Sequence, residues 1–234
     1  MTSYGQFCPV AKAMELLDER WTLLVVREML AGSNRFGEIR RGVPKMSPAL
    51  LSKRLRTLQR AQVVRRDLSD GDIRYHLTES GIALMEVVQA LGLWGLRWVG
   101  RMGQEDLDPH LLFWDLQRTI PLACWPAGRT TLAFEFDDVE RRRSRWWVVV
   151  CGEGGADGAE VEVDICDADP GHEVAATVVT SLRTLVSIWR GDQHWNAALA
   201  ADELHIVGPE AARRAVPRWL GRSQLAQLAE LRSS

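Results

Sequence analysis

The sequence predicts an α+β chain in two parts, a small helical head closed by a β-hairpin and then a largely antiparallel sheet covered by helices. Three observations carry this. Between positions 35 and 66, ten Arg or Lys stand against a single acid. In the same stretch two short amphipathic segments flank a turn marked by Pro44 and Pro48, and an Asp70-Gly71 hairpin signal follows. Beyond about residue 105 short alternating segments appear among the helical ones, and the charge changes sign.

Residues 8–18 and 21–30 read as the first two helices, with apolar residues at helical spacing and Gly32 as a stop. In residues 35–41, Phe36 and Ile39 lie three apart, as a short helix crossing the next one requires. In Gly42-Val43-Pro44-Lys45-Met46-Ser47-Pro48 the Ser47 hydroxyl can cap a helix, and Pro48 suits its first position, where a missing N–H costs nothing. From there Leu51, Leu55 and Leu58 form one apolar stripe, while Ala49, Ser52, Lys53, Arg56 and Arg60 fall on the opposite side. Val63-Val64-Arg65-Arg66 and Ile73-Arg74-Tyr75-His76-Leu77 read as strands joined through Ser69-Asp70-Gly71-Asp72.

Helix, tight turn, helix and hairpin make a winged helix-turn-helix. Its expected partner is double-stranded DNA: Arg35, Ser47, Pro48, Ala49, Ser52, Lys53, Arg56 and Arg60 on the reading side, with Arg65, Arg66 and Arg74 of the wing on phosphate or in the minor groove. The alternative is the solvated basic face of an ordinary helical domain, and the agreement of turn, stripe, wing and charge speaks against it. A capped helix follows from Thr78, with Leu84, Val87, Val88, Leu91, Trp94 and Trp98 too apolar to stand in water. Leu84, Val88, Leu91 and Trp94 are the expected contact of a homodimer, whose operator would be pseudo-palindromic; packing on the second part is the alternative.

Two glycines, mixed charge and Pro109 place the boundary in 100–108, giving domains 1–104 and 105–234. The first holds sixteen basic and ten acidic residues, a balance of +6; the second holds thirteen and twenty-one, a balance of −8. Opposite signs suggest two tasks, one of them on nucleic acid. In the second part, 130–136, 146–151, 161–165 and 174–179 read as strands, and 111–119, 181–190 and 209–220 as helices. Seven of the ten tryptophans lie beyond residue 106. Trp joins a large apolar area to one N–H donor, which suits a pocket for an apolar small-molecule effector. Trp114, Leu132, Phe134, Trp147, Trp189 and Trp195 are the expected lining, against the plainer reading of each Trp as core.

Nothing in the sequence points to catalysis. His76, His110, His172, His194 and His205 are scattered, none spaced with another ligand for a metal, and no phosphate-binding loop, dinucleotide fingerprint or nucleophile elbow occurs. No cofactor or metal is therefore expected. Four separated cysteines, no signal peptide and no membrane-length apolar run lead to the expectation of a cytoplasmic protein.

Residues 5–100 resemble the HxlR-type winged helix-turn-helix regulators of bacteria. The resemblance rests on Cys8-Pro9-Val10, residues 20–30 from Arg20-Trp21 to Leu30, Gly32, Arg35-Phe36, Glu38-Ile39, Leu51, Arg54-Leu55, Leu58 and residues 75–81. Asp18-Glu19-Arg20 departs from the Gly-Lys that the family commonly has before the Trp. The second part resembles a sterol carrier protein-like domain, an α+β fold with an apolar tunnel, through Asp169-Pro170-Gly171, residues 181–185, Trp189-Arg190-Gly191, residues 204–208 and Trp219-Leu220. Together they imply a transcriptional regulator, by default a repressor, whose second domain senses an effector. Cys8 offers another switch: its sulfur sits at a helix start, where the dipole favours thiolate, and the resemblance implies oxidant sensing at this position in several relatives. Its plain reading is a packing cysteine. A non-catalytic carrier of lipids or small molecules, with the head serving only dimerisation, is the third alternative.

Overall fold

The computed structural model describes residues 3–69, 71–99, 102–152 and 161–233. It divides into two units, Met1–Gly100 and Arg101–Ser234. Asp70 of the expected turn, and Gly100 and Arg101 of the expected boundary, lie outside the described residues.

In the first unit, α1 (Pro9–Leu17) and α2 (Thr22–Leu30) are separated at Trp21, which adopts φ 80°. The Arg20 guanidinium lies 5.3 Å from the Trp21 ring centre. Helix α3 (Phe36–Gly42) starts where the Glu38 carboxylate accepts the Asn34 and Arg35 backbone N–H groups at 2.9 and 3.0 Å. Helix α4 (Pro48–Arg60) begins as its cap dictates, Ser47 Oγ accepting the Leu50 N–H at 3.3 Å. Strands β1 (Val64–Ser69) and β2 (Asp72–Leu77) pair antiparallel with Ser69 opposite Asp72, and Gly71 takes the left-handed φ of 80° that so short a loop demands. An isolated antiparallel bridge between Arg35 and Arg74, with the Tyr75 N–H donating to the Asn34 carbonyl at 2.7 Å, ties the start of α3 to the hairpin. Helix α5 (Glu79–Trp98) is capped by the Thr78 hydroxyl.

Val25, Val26, Ile39, Leu51, Leu55 and Leu58 fill the core of this unit. Glu28 is buried beside it, at 1 % exposure, and takes two hydrogen bonds from Arg27 at 2.7 and 3.2 Å. It lies against the end of α3: a Cβ on Gly42 would sit 1.8 Å from the Glu28 carboxyl carbon. Gly42 is thus glycine because a buried carboxylate occupies its side-chain space. Gly42→Ala should destabilise the protein by about 1–3 kcal/mol, the usual cost of overpacking, measured by urea unfolding.

The second unit has one sheet in the order β5-β4-β3-β6-β7, made of β3 (Gly128–Phe136), β4 (Arg145–Gly152), β5 (Glu162–Cys166), β6 (Val174–Thr180) and β7 (Leu204–Val207). The expected largely antiparallel sheet is found, with one parallel pair, β3 against β6. Helices α6 (Pro109–Thr119), α7 (Leu182–Arg190), α8 (Trp195–Ala200) and α9 (Glu210–Leu220) send their apolar side chains to the face bearing Leu132, Phe134, Phe136, Trp146, Val148 and Val178. Two carboxylate and hydroxyl caps position α7: Asp138 accepts the Leu182 and Arg183 N–H groups, and Ser181 Oγ that of Thr184. Strand β7, helix α8 and the final α10 (Gln224–Ser233) are additions to the elements expected from sequence.

Cross-strand pairing corrects the expected effector pocket. Trp147 pairs with Ala133, and Phe134 with Trp146, so Trp147 faces the side of the sheet opposite Leu132 and Phe134. Leu132 and Phe134 are fully buried, Phe134 packing edge-on against Phe113 at 5.1 Å. Trp189 and Trp195 belong to that same core, and Trp114 is half-buried on α6 under the Arg118 guanidinium. The six residues do not line one surface. Strand alternation separates Trp147, and native packing density leaves no room at Leu132 and Phe134.

Candidate nucleic-acid interface

Helix α4 presents two contrasting faces. Leu51, Leu55 and Leu58 are at most 1 % exposed, whereas Ser47, Pro48, Ala49, Lys53, Arg56 and Arg60 are exposed and Ser52 is half-buried beside them. Lys53, Arg56 and Arg60 recur at i, i+3 and i+7, so three cations share one stripe. None of the three forms an ion pair among the described residues. A helix sealed on one side and cationic on the other is what a major groove admits.

Arg54 has a different task. It is buried, its Nε donates to the Arg20 carbonyl at 3.1 Å, and its guanidinium pairs with Glu19. That bond ties α4 to the turn between α1 and α2, the same turn in which Asp18-Glu19-Arg20 departs from the HxlR pattern. The signal was available: position 54 lies three residues after Leu51, on the inward side.

Two of the three wing arginines, Arg65 and Arg74, are already engaged. Asp72 accepts from Arg35 Nε at 2.7 Å and lies 3.9 Å from Arg74 Nε. Asp67 pairs with Arg65 and lies 3.7 Å from His76 Nε2. Register puts Arg65, Asp67, Asp72, Arg74 and His76 on one face of the hairpin. Arg66 falls on the other, alongside Val64 and Tyr75 of the core side. The expected wing contacts therefore divide between two faces, and two acids not anticipated as part of the site hold three of the arginines.

On α5 the apolar residues also divide. Leu84 and Val88 pack against the head's own core. Val87, Leu91, Trp94 and Trp98 are 41, 50, 57 and 64 % exposed and recur at i, i+4, i+7 and i+11, one stripe along the helix. Of the four residues expected to form the dimer contact, Leu91 and Trp94 lie on this stripe; Leu84 and Val88 turn inward, and Val87 and Trp98 extend the stripe in their stead.

Cys8 is the N-terminal cap of α1, and its thiol pKa is lowered by hydrogen bonds from the Ala11 and Val10 N–H groups. Burial, with Asp164 and Asp167 nearby, raises that of Cys166. Alkylation by iodoacetamide should accordingly persist to lower pH at Cys8 than at Cys166, read by peptide mass spectrometry across a pH series. Among the described residues no cluster of three or more His, Cys, Asp or Glu could hold a metal, and no helix is long and apolar enough to cross a membrane.

A family model described as an HxlR-like helix-turn-helix matches residues 16–102. An uncharacterised HTH-type transcriptional regulator of Bacillus subtilis, YvaP, is 37 % identical over 99 residues, covering 41 % of this chain and 92 % of that protein. The HTH-type transcriptional regulator YodB of the same organism is 34 % identical over 91 residues, 37 % of this chain and 81 % of its own length. The solved structure of reduced YodB matches with 31 % identity over 41 % of this chain and all of that one, at a TM-score of 0.37.

Proposed function

The chain belongs to the HxlR-like helix-turn-helix family, a family of transcriptional regulators, and on that premise we propose a dimeric, sequence-specific repressor whose second unit holds a small-molecule effector. The observation that carries the DNA-reading role is the cationic stripe Lys53, Arg56 and Arg60 opposite a sealed apolar stripe on α4. In this reading α4 enters the major groove, and phosphates take over the wing arginines from Asp67 and Asp72. Both acids are about 40 % exposed, so each pair is worth only about 0–1 kcal/mol and exchanges readily. Asp72→Asn should raise DNA affinity by up to about fivefold, the upper end of that range as a fold-change, in an anisotropy titration at fixed salt.

The exposed stripe on α5 supports a two-fold dimer, and Val10 and Met14 of α1 add exposed apolar surface to the same unit. For the second unit, a single sheet with helices on one face and a Trp-rich core supports the sterol carrier protein-like, effector-holding reading. The test is release: an effector should dissociate the repressor from operator DNA and quench tryptophan emission.

Cys8 supports a second reading, a redox switch, through its place at the α1 start and its lowered pKa. Under it, peroxide or a quinone releases DNA from the native protein and leaves Cys8→Ser bound. Equal release from both would remove Cys8 from the mechanism.

A further inference from the structure

The wing hairpin has two faces, and only one of them is charged throughout. Register places Arg65, Asp67, Asp72, Arg74 and His76 on that side, and Val64, Arg66, Leu68, Ile73, Tyr75 and Leu77 on the other. At the base of the second side Val64, Tyr75 and Leu77 belong to the core of the head. Core contact ends there. Leu68 and Ile73, directly opposite each other in the last pair but one before the turn, are 71 and 37 % exposed. Arg66 is next to Leu68 on the same side, exposed and without an ion pair among the described residues. Single exposed apolar side chains are ordinary on a protein surface, whereas here two lie side by side at the far end of a hairpin.

The base of the hairpin is anchored, which fixes where its tip is carried. The Thr78 N–H donates to the Val63 carbonyl at 3.0 Å, and the Tyr75 N–H to the Asn34 carbonyl at 2.7 Å. A cross-strand apolar pair also steadies the strands near the turn. The two faces differ in charge: the first mixes two acids with its cations, and the second carries Arg66 alone. No carboxylate on that second face repels a nucleic acid. One guanidinium beside two aliphatic side chains offers a minor groove both a cation for its negative potential and an apolar wedge for a base step.

We propose that the wing tip presses Leu68, backed by Ile73, into a base step of the minor groove beside each half-site, with Arg66 in the groove next to it, so that binding unstacks that step and bends the DNA. Arg65 and Arg74 on the other face are left for phosphate. Proteins that insert apolar side chains between base steps kink the duplex by roughly 20–90°. Sequence preference then extends to flexible pyrimidine–purine steps that α4 does not touch, because these unstack more easily than others. This rests on the DNA-reading role of the head and adds deformation of the DNA to it.

The experiment places 2-aminopurine at successive positions flanking the footprint on DNA upstream of the protein's own gene, and a fluorophore pair on the ends of a parallel duplex, and titrates both with full-length protein. Native protein should raise 2-aminopurine emission at one step per half-site and bring the duplex ends closer. Leu68→Ser should abolish the rise and weaken binding roughly tenfold, the order for one buried leucine side chain, while Leu68→Met keeps the rise. Arg66→Ala should lower the log–log salt slope of binding by about one. Because Leu68 is exposed, urea unfolding of Leu68→Ser should match that of the native protein. A footprint with neither emission rise nor bend, a rise and bend identical in Leu68→Ser, or loss of the dimer in that variant would overturn the proposal. A Leu68-dependent rise on a footprint indifferent to Lys53→Ala and Arg56→Ala would uphold the wedge and overturn the assignment of α4 alone; no footprint at all would overturn both.

Discussion

Lys53→Ala and Arg56→Ala are each expected to weaken operator binding by about 1–3 kcal/mol, the range for a lost base contact, and to relax sequence preference at the position each reads. Both side chains leave α4 on its exposed side, opposite Leu51, Leu55 and Leu58, and neither is engaged in an ion pair among the described residues. Unfolding free energy should therefore hardly change. Their neighbour gives the contrast. Arg54→Ala removes the bond to the Arg20 carbonyl and the pair with Glu19, so it should cost stability, about 1–3 kcal/mol in urea unfolding. Specificity in the residual folded protein should survive. Affinity losses and stability losses falling on the same residue would mean that α4 has been assigned the wrong face.

The second large effect belongs to α5. Val87, Leu91, Trp94 and Trp98 form a stripe that stays 41 to 64 % exposed, and in a two-fold dimer each would meet the same stripe of its copy. Leu91→Glu with Trp94→Glu removes two central apolar contacts and brings like charges together across the axis. Truncating a central anchor costs about 2 kcal/mol or more, so the pair should convert dimer to monomer in sedimentation velocity. Operator affinity should then collapse toward that of a single half-site. Leu84→Ala and Val88→Ala should behave differently, since both residues pack into the head's core: stability falls while the association state holds.

Where the chain encodes a feature locally, sequence alone located it. Ser47, Pro48 and the Leu51, Leu55, Leu58 spacing fix the start and buried side of α4 within a dozen residues, because capping and helical period act over one or two turns. The Asp70-Gly71 pair likewise announced the hairpin of β1 and β2. The missed features depend on partners distant in sequence. Nothing local to Gly42 reveals that Glu28 fills its side-chain space, and a buried glutamate looks like a surface one until α2 meets α3. Asp72 reads as turn chemistry, yet in the fold it holds Arg35, thirty-seven residues away. That 146–151 forms a strand was legible, but which of Trp146 and Trp147 faces the core was not; pairing with Phe134 and Ala133 made that choice. Strand β7 and helix α8, four and six residues long, are too short for a period to show.

In a two-fold dimer two copies of α4 should read two halves of one site. A footprint of the full-length protein on DNA upstream of its own gene tests it most directly. Two protected, inversely related half-sites centred about 10 bp or a multiple of that apart are expected, lost together in the Lys53→Ala, Arg56→Ala double variant. Protection without sequence preference, or a specific footprint unchanged in that double variant, would contradict it.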